Sequence, residues 1–149
     1  MVLALWKIED LLSQGNYKTT RPIPTCMLLL LEKCAFKTIK IHSENSVTIV
    51  GGTDYGIRFY LADISTQVIQ EKSSSVSEDV PTLENIECIS FFENEIFAAG
   101  NSEYIYVFRT TDFGLERMIR TTSGINFKVG HAAKVMFTVG DKLQIWQGD

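Results

Sequence analysis

The sequence has few residues of the kinds that build reactive or metal-binding sites: three cysteines and two histidines in 149 residues. Cys26, Cys34 and Cys88 lack the two-residue spacing of a zinc knuckle or a redox motif. Such a sparse, odd-numbered set predicts buried or half-buried thiols in a reducing compartment, with a disulfide or metal role as the alternative. His42 and His131 belong to no metal-ligand or nucleophile pattern. We therefore expect no enzyme activity, no metal and no cofactor.

Positive charge is also scarce. The chain has 14 Lys and Arg against 18 Asp and Glu, a formal net charge of -4. Nucleic-acid binding through bulk electrostatics needs a basic patch or stripe, so we expect no nucleic-acid partner. Arg109, Arg117 and Arg120 gather around one predicted strand. They predict either a solvated sheet edge or, alternatively, a groove for an acidic partner segment.

Long apolar runs are missing too. Residues 26–31 are apolar, but they fall far short of the roughly 20 residues that cross a bilayer. Residues 1–6 are apolar as well, but no basic segment precedes them and charged residues follow at once, unlike a secretory signal. No Asn-x-Ser/Thr acceptor site occurs. We expect an intracellular protein, in the cytoplasm or nucleus, with no membrane partner.

Short β-strand patterns are what the sequence has in abundance. From residue 36 onward, β-branched and aromatic residues alternate with polar ones in short runs, separated by Gly, Asn, Asp and Ser. The pattern predicts a four-stranded meander, a second one, and a third that stops after three strands. The predicted strands are 36–42, 47–50, 57–61 and 66–70, then 86–91, 96–99, 104–108 and 115–120, then 125–129, 134–139 and 143–146.

Two segments fall outside this pattern. Residues 72–81 are rich in serine and acidic residues and predict a long mobile loop. The first 33 residues are ambiguous: residues 3–12 fit a strand that holds Trp6, which we favour, or a short amphipathic helix that ends at Gly15. Pro22 and Pro24 exclude a central strand across that point.

Three segments repeat one arrangement, at residues 50–60, 98–108 and 138–146. Each is a hydrophobic strand, a glycine, a polar turn and a strand that ends in an aromatic residue. The glycines recur at intervals of about 40 to 50 residues, the range of β-propeller blades. A glycine there permits close approach of backbone, an Asp in the turn can bond nearby amides, and the terminal aromatic can fill the gap between neighbouring sheets.

Residues 52–60, Gly-Thr-Asp-Tyr-Gly-Ile-Arg-Phe-Tyr, resemble the WD-repeat family. In that family small residues and a turn Asp lead into a strand ending in Trp-Asp. Here Tyr60 takes the Trp position and Leu61 the Asp position, which is a departure from the motif. Phe108-Arg109 and Trp146-Gln147 also lack the Asp. The resemblance covers about residues 34–149.

The resemblance implies an all-β fold: a partial β-propeller of about three to four blades, each a four-stranded antiparallel meander. Residues 34–149 would form the blades, and residues 1–33 would be an N-terminal segment belonging to a preceding blade. Propellers typically need about four to eight blades, so we expect the chain to be too short to close a ring alone. A protein partner, a longer chain or self-assembly would complete it.

The implied function is a non-catalytic protein–protein interaction scaffold. Position in the repeat places the candidate partner-binding residues on one face: Asp54, Tyr55, Asn101, Ser102, Glu103 and Lys142. Two alternatives remain open at this point. One is a propeller enzyme with a central pocket, and the other is a small β-sandwich or barrel without a repeat.

Overall fold

A computed structural model describes residues 2–5, 24–30, 35–43, 47–74, 83–121, 128–132, 135–139 and 143–147. Within these residues the protein is all-β, with antiparallel pairing throughout and no helix. The strands are β1 (Val2–Leu5), β2 (Cys26–Leu29), β3 (Phe36–Ser43), β4 (Val47–Thr53), β5 (Gly56–Asp63), β6 (Val68–Lys72), β7 (Ile86–Phe92), β8 (Glu95–Gly100), β9 (Tyr104–Arg109), β10 (Leu115–Arg120), β11 (Lys128–Ala132), β12 (Val135–Val139) and β13 (Leu143–Gln147).

These strands form four separate sheets. The N-terminal hairpin is β1-β2, the first sheet is β3-β4-β5-β6, the second is β7-β8-β9-β10, and the third is β11-β12-β13. Strand order therefore follows chain order and recurs after every four strands from β3 to β10. Among the described strands, no sheet is hydrogen-bonded to another. This arrangement differs from the single closed barrel or non-repeating sandwich that was one of the alternatives.

The first and second sheets match in detail as well as in order. Each has a register shift at the start of its first strand, between Phe36 and Thr38 in one and between Ile86 and Cys88 in the other. Extra residues at the same place bend both strands in the same way. The repeat seen in the sequence is thus a repeat of backbone geometry.

The apolar faces of the sheets are buried against one another. One face of the first sheet packs on the N-terminal hairpin, through Tyr60 and Ile69 on one side and Leu3 and Cys26 on the other. Its opposite face packs on the second sheet, in a cluster that includes Val50, Phe59, Ile89, Ile96 and Tyr106. A third cluster lies on the far face of the second sheet, where β11 contacts β7 and β8.

Aromatic rings fill the space between the first two sheets. Phe59 lies edge-to-face with Phe108, with ring centroids 5.2 Å apart, and stacks on Phe113 at 4.9 Å. Phe113 has a φ of 57°, in the left-handed region that bulky residues rarely adopt, so packing holds it there. Tyr60 and Phe108, the terminal aromatics of two repeats, are fully buried between sheets. The predicted role of these two residues is confirmed.

The repeated glycines mark places where backbone approaches closely. A Cβ on Gly52, at the end of the first sheet's second strand, would collide with the carbonyl oxygen and side chain of Ile86 in the next sheet. A Cβ on Gly100, at the end of the second sheet's second strand, would collide with the carbonyl of Asn85. The sequence prediction for these glycines is confirmed at both positions.

Several strand boundaries differ from the sequence prediction. The fourth strand of the first sheet starts at Val68, two residues later than predicted, because the Asp63 carboxylate accepts hydrogen bonds from the amides of Ser65 and Thr66 and extends the turn. The predicted turn at residues 130–133 is wrong, because Gly130, His131 and Ala132 lie in β11. The β11–β12 register pairs Ala132 with Val135, and residues 133–134 lie outside the described residues.

The favoured strand prediction for residues 3–12 is confirmed for residues 3–5, which lie in β1. Trp6 and the rest of the ambiguous segment lie outside the described residues, as do residues 75–81 of the predicted loop. Before that point, the Ser74 hydroxyl donates to the Phe113 carbonyl oxygen at 2.7 Å. The chain leaving β6 is therefore anchored to the second sheet.

The packing between sheets predicts a large difference between two aromatic residues in the same repeat. Phe59→Ala removes a ring that is 1% exposed, and we expect a loss of about 3–5 kcal/mol in the free energy of unfolding. Tyr55→Ala is the control, because its ring is 84% exposed and its loss should change stability by less than about 0.5 kcal/mol. Denaturant unfolding measures both, and similar losses in the two variants would contradict the packing described.

Candidate functional site

The predicted partner-binding residues lie in two corresponding turns. Asp54 and Tyr55 form the turn between β4 and β5, and residues 101–103 form the turn between β8 and β9. Lys142, the remaining candidate, lies outside the described residues. Because the two sheets repeat the same order, both turns lie at the same end of their sheets.

Each turn is closed by a side-chain hydroxyl, that of Thr53 in the first and that of Ser102 in the second. The Thr53 hydroxyl accepts from the Tyr55 amide at 3.1 Å and donates to the Gly56 carbonyl at 3.1 Å. The Ser102 hydroxyl does the same with the Tyr104 amide and carbonyl, both at 3.2 Å. The turn aspartate was expected to bond the nearby amides, whereas in the first turn the Thr53 hydroxyl accepts from the Tyr55 amide. Gly56, with a φ of 129°, supplies the backbone conformation that ends the first turn.

The two turns are joined by the segment that enters the second sheet. The Asn85 amide donates to the Asp54 carbonyl oxygen at 2.9 Å, while the Asn85 carbonyl lies directly against Gly100. After the second sheet the pattern recurs, because the Thr121 amide donates to the Glu103 carbonyl oxygen at 2.8 Å. After each of the two sheets, the chain therefore forms a backbone hydrogen bond with the turn between that sheet's second and third strands.

Lys37 lies at the junction between the first two sheets, beside the β4–β5 turn and the segment that enters β7. Its Nζ lies 2.7 Å from Asp54 Oδ1, 3.1 Å from Asn85 Oδ1 and 3.4 Å from Glu87 Oε1. The hydrogen bond to the Asp54 carboxylate raises the pKa of Lys37 above its usual value. Asp54 thus has an electrostatic role at the joint between two sheets, which limits its availability to a partner.

Arg109, Arg117 and Arg120 each form an ion pair with an acidic residue of the second sheet. Arg120 lies 3.0 Å from Glu103, Arg117 donates to both Glu95 oxygens, and Arg109 donates to both Asp112 oxygens. The Arg109 guanidinium, followed by the Gly114 amide, lowers the pKa of Asp112 to about 2. Such pairing favours the solvated sheet edge over the groove for an acidic partner.

Tyr55 stands out from its surroundings. It is 84% exposed at the tip of a turn whose backbone is fixed by Thr53 and Gly56. A tyrosine held in this way offers a large apolar surface with a hydroxyl at its end, and it loses little conformational entropy on binding. Asn101 is exposed in the corresponding turn, whereas Ser102 is partly buried and engaged in closing that turn.

Among the described residues, no group of three or more His, Cys, Asp or Glu side chains could hold a metal ion. No helix in this part of the chain is long and apolar enough to span a membrane. Cys26 and Cys88 are buried, as their apolar neighbours predict. Cys34 lies outside the described residues.

Lys37, Asn85 and Glu87 were not among the residues predicted from the sequence. A signal was present, because Lys37 and Glu87 occupy the second position of the first strand in the two repeats and carry opposite charges. Aligning the repeats by their first strands, and not only by their glycines, would have brought the pair together.

No model of a known protein family matches this chain, and no curated protein matches it. Among solved structures, the chain is similar to one described as the computationally designed Ika4 protein, at 14% sequence identity and a TM-score of 0.49. The match covers 73% of this chain and 63% of that protein, so the chain spans less than two thirds of its length. A likeness at this level carries no argument about function.

The junction predicts that the titration of Lys37 depends on Asp54. In Asp54→Asn the pKa of Lys37 should fall toward 10.5, followed by NMR of its side chain, because the largest cause of its raised value is removed. Since the folded-state pKa is raised, the junction stabilises the protein below the ordinary lysine pKa and is lost as pH rises through the folded value. Asp112→Asn is the control and should leave Lys37 unchanged. An identical Lys37 titration in both variants would rule out the junction.

Proposed function

We propose that this protein is a non-catalytic protein–protein interaction scaffold built on WD-repeat-like β-propeller blades. Support comes from the recurrence of a four-stranded antiparallel sheet with the same order and the same register shift. Sheets of this kind that stack face to face are the units of a propeller. In this proposal residues 34–149 carry the blades and residues 1–33 belong to a preceding blade.

The proposed binding surface is the end of the sheets that carries the β4–β5 and β8–β9 turns. Two features support it: rigid turn backbones and an exposed aromatic side chain. Tyr55 would be the anchor, with Asn101 as a neighbouring polar contact. Asp54, Ser102 and Glu103 would mainly shape the surface, since each is engaged within the fold. Loops on a rigid scaffold commonly carry function in this way.

The partner in this proposal is another protein, and the compartment is intracellular. Buried thiols agree with a reducing environment, and an acidic chain gives no support to a nucleic-acid partner. A partner that completes the propeller is part of the same proposal. The strongest support for a protein partner is the exposed Tyr55 side chain, which lies in a turn whose backbone is held by a hydrogen bond to Thr53.

Site-specific photo-crosslinking tests the surface. A photoreactive phenylalanine analogue replaces Tyr55 in the full chain expressed in cells, and the control places the same analogue at Thr111, which is exposed in the β9–β10 turn at the opposite end. We expect a discrete, abundant adduct with one protein from position 55 and none from position 111. No adduct from position 55, or the same adducts from both positions, would contradict the proposed surface.

A further inference from the structure

The chain that leaves the first sheet is held to the second sheet by a side-chain hydroxyl. Ser74 follows the last strand of the first sheet, β6, and its hydroxyl donates to the Phe113 carbonyl oxygen at 2.7 Å. β6 is an edge strand of the first sheet, and Phe113 lies in the turn that leads into β10, an edge strand of the second. This hydrogen bond therefore connects the two sheets along one side.

The turn that accepts this hydrogen bond is also part of the packing between the sheets. Phe113 is 3% exposed and stacks on Phe59 of the first sheet. Its φ of 57° is unfavourable for a bulky side chain, and its amide donates to the Arg109 carbonyl oxygen at 3.1 Å. Because the Ser74 hydroxyl binds the carbonyl of this strained residue, its loss should make the turn open more often.

The exit from the second sheet is built differently. There the Thr121 amide and the Thr121 hydroxyl both donate to the Glu103 carbonyl oxygen, and Thr121 is 4% exposed. Ser74 is only half-buried, and its neighbour Ser73 is exposed. A single neutral hydrogen bond near the surface breaks and reforms readily, so the Ser74 hydroxyl is accessible to an enzyme by local opening.

The sequence around Ser74 has the composition of a kinase substrate. Residues 73–75 and 77 are serines, and residues 78 and 79 are Glu and Asp. Acidic residues that follow serines are complementary to a kinase whose substrate groove is basic. Of the two serines in this run that the structure describes, Ser74 is the one whose hydroxyl is bound to the second sheet.

We propose that Ser74 is a phosphorylation site and that its phosphate detaches the chain leaving β6 from the second sheet. A protein kinase transfers the terminal phosphoryl group of a nucleoside triphosphate to Ser74 Oγ. A new phosphorus–oxygen bond forms, the bond to the β-phosphate breaks, the hydroxyl proton passes to a base of the kinase, and the nucleoside diphosphate leaves. The inference is independent of the proposed binding surface, since Ser74 lies outside the two turns that form it.

The chemistry of the phosphate explains the detachment. At neutral pH a phosphoserine has a charge of about −1.5 to −2 and is mainly an acceptor, so it cannot replace the hydroxyl as a donor to the Phe113 carbonyl oxygen. The neighbouring Asp112 carboxylate adds repulsion. Arg109, a cation in the same turn, already donates to both oxygens of Asp112.

Mass spectrometry of the protein purified from the cells that express it tests whether the modification occurs. We expect a phosphopeptide in which fragmentation assigns the phosphate to Ser74, and we expect that phosphatase treatment removes it. A chain without phosphate, or with phosphate only on other serines, would overturn the assignment.

Amide hydrogen exchange, followed by NMR, tests the consequence. Phosphoserine is incorporated at position 74 of the full chain by an expanded genetic code, and the matched control has phosphoserine at the exposed position 73. With phosphoserine at 74, the Phe113 amide should exchange at least about tenfold faster than in the unmodified chain. At position 73 the change should stay within about twofold, because Ser73 has the same charge to offer but lies exposed to solvent.

Ser74→Ala shows that the Phe113 amide reports this contact, because it removes the donor without adding charge. Its Phe113 amide should also exchange faster than in the unmodified chain. Equal exchange rates with phosphoserine at 73 and at 74, or an unchanged rate in Ser74→Ala, would refute the detachment.

Discussion

Burial of one sheet's apolar face by the next is the interaction on which the rest of the structure depends. A four-stranded antiparallel meander has two faces, and here both are apolar near the middle of the sheet, so no sheet can be stable alone in water. Phe59 on one sheet and Phe108 on the next meet at 5.2 Å, and both are fully buried. At Gly52 the absence of a side chain allows the Ile86 carbonyl of the second sheet to approach the first sheet closely.

Polar interactions have a different role. Ion pairs such as Lys37 with Asp54 and Arg120 with Glu103 are exposed at the ends of sheets, where each contributes little to stability. Together with backbone hydrogen bonds from Asn85 and Thr121, they set where each connecting segment crosses to the next sheet. Apolar packing thus supplies the stability, and the polar junctions fix the geometry of the turns that we propose as a binding surface.

The sequence predicted the all-β class, the four-strand repeat and most strand positions, because period-two alternation and turn residues are local signals. It also predicted the burial of Tyr60 and Phe108, because their position recurs with the repeat. The β5–β6 boundary was missed because the Asp63 side chain extends the turn, an effect that alternation does not report. Lys37 was missed as a junction residue because its partners, Asp54, Asn85 and Glu87, are distant in sequence.

The exposed Ile39 and Ile41 could not have been found by pattern alone, since alternation marks them for burial as clearly as it marks Ile89. Only the three-dimensional arrangement shows that the hairpin stops short of them. Ile89 is buried and Ile39 is exposed because the sheet packed against Ile89 has four strands, whereas the sheet packed beside Ile39 has two among the described residues.

A double-mutant cycle between Phe59 and Phe108 tests the stacking of the sheets most directly. Face-to-face packing predicts that Phe59→Leu and Phe108→Leu are coupled by about 0.5–1.5 kcal/mol in the free energy of unfolding. Phe59→Leu combined with Ile105→Val, on the far face of the second sheet, should be additive within about 0.5 kcal/mol. Additivity in the first pair, or equal coupling in both pairs, would contradict the account.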